Sequence, residues 1–227
     1  WIIDFGSSPY SLCPTLTTDA EGNIYAAGSF SETADFDPDP NNVSNMTSSG
    51  DVDVFIQKMD SSGNLLWVKS IGGTGSDNGQ KVIVDAFGNV YVAGTFSATA
   101  DFDPGPDVFQ MSVAPGTYNE YFILKLDASG NFLWAKSLDL AAYSPEPSLA
   151  LDESGNIYST GYFNKTCDMD PGPGVFMVTP VGSYDIFLHK LDSDGNFQWV
   201  QTTGGASSSM KGKKIALDAS DNIYVEG

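Results

Sequence analysis

The chain has 227 residues and a formal net charge of −19; its ten basic side chains are all Lys, and Asp supplies 23 of the 29 acids. A surface this acidic repels nucleic-acid phosphates and anionic membranes, and no apolar run approaches the roughly 18 residues of a membrane span. Hydrophobic residues make up 41% of the chain and aromatics 12%, enough for a continuous core.

From the N-terminus, Trp1 starts a beat that continues at Trp67, Trp134 and Trp199. Asp19-Ala20-Glu21-Gly22-Asn23-Ile24-Tyr25 returns in register at Asp85, at Asp152 and at Asp218, with spacings of 66, 67 and 66 residues. A fixed period signifies a repeat architecture, in which each unit buries its apolar face on a neighbour.

The second unit is the clearest in chain order. Val82-Ile83-Val84 is a short β-branched strand ending at Asp85, and 86–89 is a turn. Val90–Phe96 is a second strand, and a Pro/Gly-rich connection runs from Ala98 to Thr117. Glu120–Leu126 is a third strand, Asp127-Ala128-Ser129-Gly130-Asn131 another turn, and Phe132–Leu138 a fourth strand. Aromatic and β-branched runs between Gly/Asn turns are the strand signature, and no segment carries a helical period. Gly supplies the positive φ that ends such a turn, and Asp accepts N–H groups across it. Asp19, Asp60, Asp85, Asp127, Asp152, Asp192 and Asp218 are therefore read as turn residues.

Four antiparallel strands per unit predict an all-β fold of β-propeller blades. The alternative, a β-solenoid, has shorter repeats stacked in parallel. The expected division is a last strand of a preceding blade and link at 1–11, blades at 12–73, 74–140 and 141–205, and the start of another at 206–227. That makes about 3.5–4 blades, an incomplete ring. It is expected to be a segment of a longer protein, or one that meets another chain at its open edges. Cys13 and Cys167 occupy different repeat positions and are expected as free thiols.

One further motif recurs: Asp35-Phe36-Asp37-Pro38, Asp101-Phe102-Asp103-Pro104-Gly105-Pro106 and Asp168-Met169-Asp170-Pro171-Gly172-Pro173. Each is followed by a strand and turn, Phe55–Asp60, Phe122–Asp127 or Phe187–Asp192, and then by Gly-Asn and Trp. Together these motifs resemble the SBBP-type β-propeller repeat of secreted, multi-domain proteins of Bacteroidetes. The resemblance spans nearly the whole chain. It implies a bacterial surface or secreted protein, often exported by the type IX system, with no general assigned activity. The first unit departs at Asp39, where the others have Gly105 and Gly172, so its loop is expected to differ in shape.

The Gly-Asn turns should share one face of the blades, and the Asp-x-Asp-Pro loops and the Gly72–Asp77 and Gly204–Ser207 links the opposite face. That second face is where function is sought. Each carboxylate pair has a further acid at the start of the third strand: Asp35 and Asp37 with Asp53, Asp101 and Asp103 with Glu120, Asp168 and Asp170 with Asp185. Like charges gathered this way repel unless a cation, protons or water relieve them. Oxygen-only clusters suit Ca²⁺. The alternative is that these carboxylates only cap backbone N–H groups.

Paired carboxylates also invite a glycosidase reading, but a catalytic pair is normally unique to one site and this one recurs in every unit. His189, the only histidine, replaces Gln57 and Leu124 and is expected as an ordinary strand residue. The recurring Trp residues are expected to pack between blades, and Lys58, Lys125 and Lys190 to contact turn Asp residues. The function expected is a non-enzymatic scaffold or binding module of a secreted or cell-surface bacterial protein. Its partners would be the remaining blades, another chain, or a protein or glycan ligand. The alternative is part of a carbohydrate-active propeller enzyme with catalytic residues elsewhere.

Overall fold

The computed structural model describes residues 11–140, 148–206 and 209–227. Residues 1–10, with Trp1 and all but the last residue of the strand and link expected at 1–11, and residues 141–147 and 207–208 lie outside the described residues. The first unit runs β1 (Ser11–Thr18), β2 (Ile24–Phe30), a small hairpin of β3 (Thr33–Asp35) and β4 (Asn45–Thr47), β5 (Asp53–Met59) and β6 (Leu65–Gly73). The second has β7 (Asn78–Val84), β8 (Val90–Phe96), β9 (Thr99–Asp101), β10 (Gln110–Ser112), β11 (Glu120–Leu126) and β12 (Phe132–Leu138). The third has β13 (Ser148–Leu151), β14 (Ile157–Phe163), β15 (Cys167–Asp168), β16 (Met177–Val178), β17 (Asp185–Leu191) and β18 (Phe197–Thr203). A last pair, β19 (Lys214–Leu217) and β20 (Ile223–Glu226), begins another sheet.

Each unit is a four-stranded antiparallel meander: β1-β2-β5-β6, β7-β8-β11-β12 and β13-β14-β17-β18. These are β-propeller blades, and the antiparallel pairing removes the solenoid alternative. The first strands β1, β7, β13 and β19 lie side by side in that order, so consecutive sheets face one another.

The strand period of two explains why both faces are apolar. Every residue of β8 is buried. Val90, Val92 and Phe96 pack toward the first blade, with Tyr25, Val54, Ile56 and Phe122. Tyr91 and Ala93 pack toward the third, with Ile157, Phe163 and Phe187. Each large side chain buried this way contributes roughly 1.5–3 kcal/mol of transfer free energy.

The turns follow the expected chemistry. Gly22, Gly63, Gly88, Gly130, Gly155 and Gly195 have φ between 77° and 89°, and Asp221 takes φ 59° at the fourth copy, where Gly is missing. Asp19 Oδ1 accepts the N–H groups of Glu21 (3.1 Å) and Asn23 (2.8 Å). Its Oδ2 accepts from Asn23 Nδ2 (2.8 Å) and from the Tyr25 hydroxyl (3.0 Å). Asp85, Asp152 and Asp218 repeat all four bonds. Asp60, Asp127 and Asp192 accept from backbone and Asn in the same way.

The Trp beat has a cross-blade cause. Trp67 Nε1 donates to the Ala128 carbonyl of the second blade, and Trp134 Nε1 to the Ser193 carbonyl of the third, both at 3.2 Å. Each Trp thus pins the second turn of the next blade. Lys58, Lys125 and Lys190 lie 5.0, 5.1 and 4.7 Å over the rings of Tyr25, Tyr91 and Tyr158. Lys190 is also 3.7 Å from Asp152, the Asp of the first turn of its blade.

Two features depart from the expectation. β7 begins at Asn78, four residues before the β-branched run. Each long connection folds into a small hairpin, held by hydroxyl pairs such as Thr99 with Ser112 at 2.7 Å and anchored by Ala100 and Phe102 in the core. Cys167 is a buried free thiol, and burial pushes it up to about 12. The Cys13 side chain lies outside the described residues.

Candidate functional site

The Asp-x-Asp-Pro loops are built by a chain of short-range acceptor bonds. Asp101 Oδ1 accepts the N–H groups of Asp103 (3.1 Å) and Phe109 (2.9 Å), closing the small hairpin. Asp103 Oδ1 then accepts from Gly105 at 2.7 Å. Asp168 and Asp170 repeat this through Asp170, Phe176 and Gly172. Asp35 accepts from Asp37 and Ser44, and Asp37 from Asp39. The first loop therefore keeps the bond register of the others despite Asp39. The reason is that neither Gly105 nor Gly172 takes a positive φ, so an Asp is accommodated there.

The third acid of each set is buried: Asp53 and Asp185 are 2% exposed and Glu120 7%. Each caps its own loop. Asp53 Oδ2 accepts from Ser49 at 2.8 Å, Glu120 Oε1 from Ala114 at 2.7 Å, and Asp185 from Val181 and Gly182 at 2.7 and 3.0 Å. Backbone capping therefore accounts for one oxygen of every candidate carboxylate except Asp185, where it takes both. Among the described residues, no three acidic, His or Cys side chains converge closely enough to hold an ion by themselves.

What the structure does bring together crosses the blades. Asp53 of the first blade lines a cavity of about 210 Å³ with Asp101 and Asp103 of the second. The equivalent cavity at the next junction, about 380 Å³, is lined by Asp139, Lys165, Asp168 and Asp170. Lys165 Nζ lies 2.5 Å from Asp139 Oδ2, which also accepts from the Thr117 hydroxyl at 3.2 Å. At the first junction Asp77 is 1% exposed and accepts the N–H groups of Gly73 (2.8 Å) and Ser97 (3.1 Å). Burial holds its carboxyl up, to about 7, and the charge of Asp53 adds to this. Burial raises Asp53 and Glu120 as well.

Sequence reasoning met Asp77 only as the end of the Gly72–Asp77 link, and it passed over Asp139 and Lys165. Their signal is a break in register: five residues after the Trp, Asp139 stands where the other blades have Gly72 and Gly204, and Lys165 stands where they have Glu32 and Ala98. His189 is fully buried and stacks on Phe197 at 5.5 Å. Gln57, at its register in the first blade, donates Nε2 to the Phe36 carbonyl at 2.7 Å.

Residues 66–95 match the SBBP β-propeller repeat. The match begins on β6 of one blade and ends on β8 of the next, so the matched unit spans a blade junction. The chain is 27% identical to the uncharacterized WD repeat-containing protein L264 of Acanthamoeba polyphaga mimivirus, over a 245-residue alignment covering 96% of the chain and 18% of that protein. It is also 27% identical over 181 residues to the regulatory protein FlaEY of Caulobacter vibrioides, covering 80% of the chain and 18% of that protein. The chain thus spans less than a fifth of the length of these curated relatives. With its stacked four-stranded sheets and its match to the SBBP repeat, the chain is a run of β-propeller blades.

Proposed function

We propose that the chain is a non-enzymatic scaffold or binding module within a longer secreted or cell-surface bacterial protein, stabilised by calcium on its loop face. One observation carries the non-enzymatic part. The acids that recur in every blade accept backbone N–H groups at matching positions, which is structural work that each repeat needs. The loop crests support a binding role: Val43, Val108 and Val175 share one register and are 70%, 68% and 73% exposed, offering apolar contacts on an acidic face. A protein partner agrees with the likeness to a protein named for its WD repeats. The surface or secreted location is supported by the recurring Asp-Phe-Asp-Pro motif and its resemblance to secreted proteins.

Two assays test this. Protease treatment of intact producing cells should remove the protein; protection until the cells are lysed would overturn the surface location. The full-length protein should release no reducing ends from a panel of polysaccharides. Release that is lost in an Asp101→Ala, Asp103→Ala variant would overturn the non-enzymatic reading.

A further inference from the structure

We infer that the junction of the first and second blades binds a divalent cation of the calcium class between Asp53 and Asp77, beneath the Asp101–Asp103 loop. The inference deepens the calcium part of the reading above and rests on it. It places the ion between blades, whereas the sequence pattern pointed to acids within one blade.

The first support is a buried oxygen with nothing to bind. Asp53 is 2% exposed and its Oδ1 has no hydrogen-bond partner. That oxygen points at Gly72, which lines the cavity with Ser49, Ser70, Asp101 and Asp103. A Cβ placed on Gly72 would stand 2.5 Å from Asp53 Oδ1 and 2.9 Å from Asp77 Oδ2. The two carboxylates therefore meet over a glycine that leaves room for them. Two such groups in a low-dielectric site repel unless a proton or a cation joins them.

The second support is the next junction, which presents the same walls with a different solution. Ser70, Ile71, Gly72, Asp101 and Asp103 correspond in register to Ser137, Leu138, Asp139, Asp168 and Asp170. There the chain supplies its own cation, the Lys165 ammonium against Asp139. At the first junction the residue in register with Lys165 is Ala98, so Asp53, Asp101 and Asp103 line the cavity, and Asp77 meets Asp53 at Gly72, with no lysine among the lining residues. The available donors are all oxygen: carboxylates, the hydroxyls of Ser49 and Ser70, and backbone carbonyls. Such a set excludes soft thiolate-seeking metals and suits calcium, which tolerates irregular shells of six to eight oxygens completed by water.

The test is calcium titration calorimetry and thermal unfolding of the purified 227-residue chain, after chelator treatment. At a hundredfold excess over Kd, calcium should raise Tm by roughly 5 to 10 °C. Asp53→Asn and Asp77→Asn should each weaken binding at least tenfold. Asn keeps an acceptor for the Ser49 N–H, and Trp fluorescence confirms folding. Ala98→Lys, the register copy of Lys165, should leave Tm insensitive to calcium. Asp168→Asn should bind as the wild type does. Undiminished binding by both Asn variants would overturn the junction site while leaving calcium stabilisation standing. Absence of any calcium heat or Tm shift in the wild type would overturn both. A wild type blind to calcium, with Asn variants that melt higher, would mean a shared proton and would likewise overturn the site.

Discussion

His189 offers the sharpest quantitative check on the core. It lies on β17 with no exposed surface, and neither ring nitrogen makes a well-formed hydrogen bond. Burial pulls its pKa down to about 4, only partly opposed by the nearby Met169 carbonyl. The unfolded chain titrates near 6.5. A His with a depressed folded pKa is neutral in the fold, so its contribution is fully present above pH 6.5 and is lost as the pH falls toward 4. That difference between the folded and unfolded pKa corresponds to roughly 3 kcal/mol, most of which is lost between pH 7.5 and 4.5. The second blade already places Leu124 at this register, so His189→Leu is the natural perturbation. At pH 7.5 the variant should gain about 1 kcal/mol by removing unpaired buried nitrogens. At pH 4.5 its advantage should grow by a further 2 to 3 kcal/mol. The assay is urea unfolding followed by Trp fluorescence at both pH values, read as the difference between the two proteins. Taking that difference cancels Asp77, whose raised pKa favours the fold on acidification and masks His189 in the wild type. An advantage that stays the same at both pH values would refute the reasoning.

Other positions give simpler tests. Trp134→Phe keeps the ring packing on Tyr91 but removes the N–H donated to Ser193, and should cost about 1 kcal/mol in urea unfolding. Gly73→Ala would drive a Cβ into the Thr99 carbonyl oxygen, breaking the pairing of β6 with β9; a loss above about 2 kcal/mol is expected. Asp221→Gly should stabilise by up to about 1 kcal/mol, because Asp221 alone among the turn residues at its register takes a positive φ with a side chain. A lower urea midpoint in that variant would contradict the turn assignment.

The blades were legible because their determinants are local. The turn at Asp85 needs only Asp85, Gly88 and Asn89, and each lies within four residues of its partners. The small hairpins were hidden because Thr99–Asp101 and Gln110–Ser112 are three-residue strands separated by Pro and Gly, too short to show alternation. The candidate acids were legible as residues but not as groups. Asp53 follows its own blade in sequence, yet its unpartnered oxygen faces a cavity whose opposite wall belongs to the next blade. Nothing in the spacing of Asp35, Asp37 and Asp53 reports a contact that depends on how two sheets stack. Lys165 and Asp139 were overlooked for a related reason: a repeat draws attention to what recurs, and these two residues matter because they do not.

That contrast bears on how the chain can specialise. Each blade needs its turn Asp, its Gly, its cross-blade Trp and its capping carboxylates, and a change at any of them disturbs folding. The junction between blades is less constrained, because its walls come from two units and only their sum must balance. Around Gly72 the cavity is lined by three acids, Asp53, Asp101 and Asp103; at the next junction it is lined by three acids and a lysine, Asp139, Asp168, Asp170 and Lys165, with Lys165 at the register of Ala98. Charge at a junction can therefore be set by one substitution without touching the turns that define a blade. Solvation sets the sign of the outcome. An exposed acid surplus is screened by water and salt, whereas one held at 1–2% exposure, as for Asp77 and Asp53, must be met by a proton, an ammonium or an ion. If a junction is met by an ion from solution, its stability depends on the concentration of that ion; if it is met by a lysine, the compensation is built into the chain.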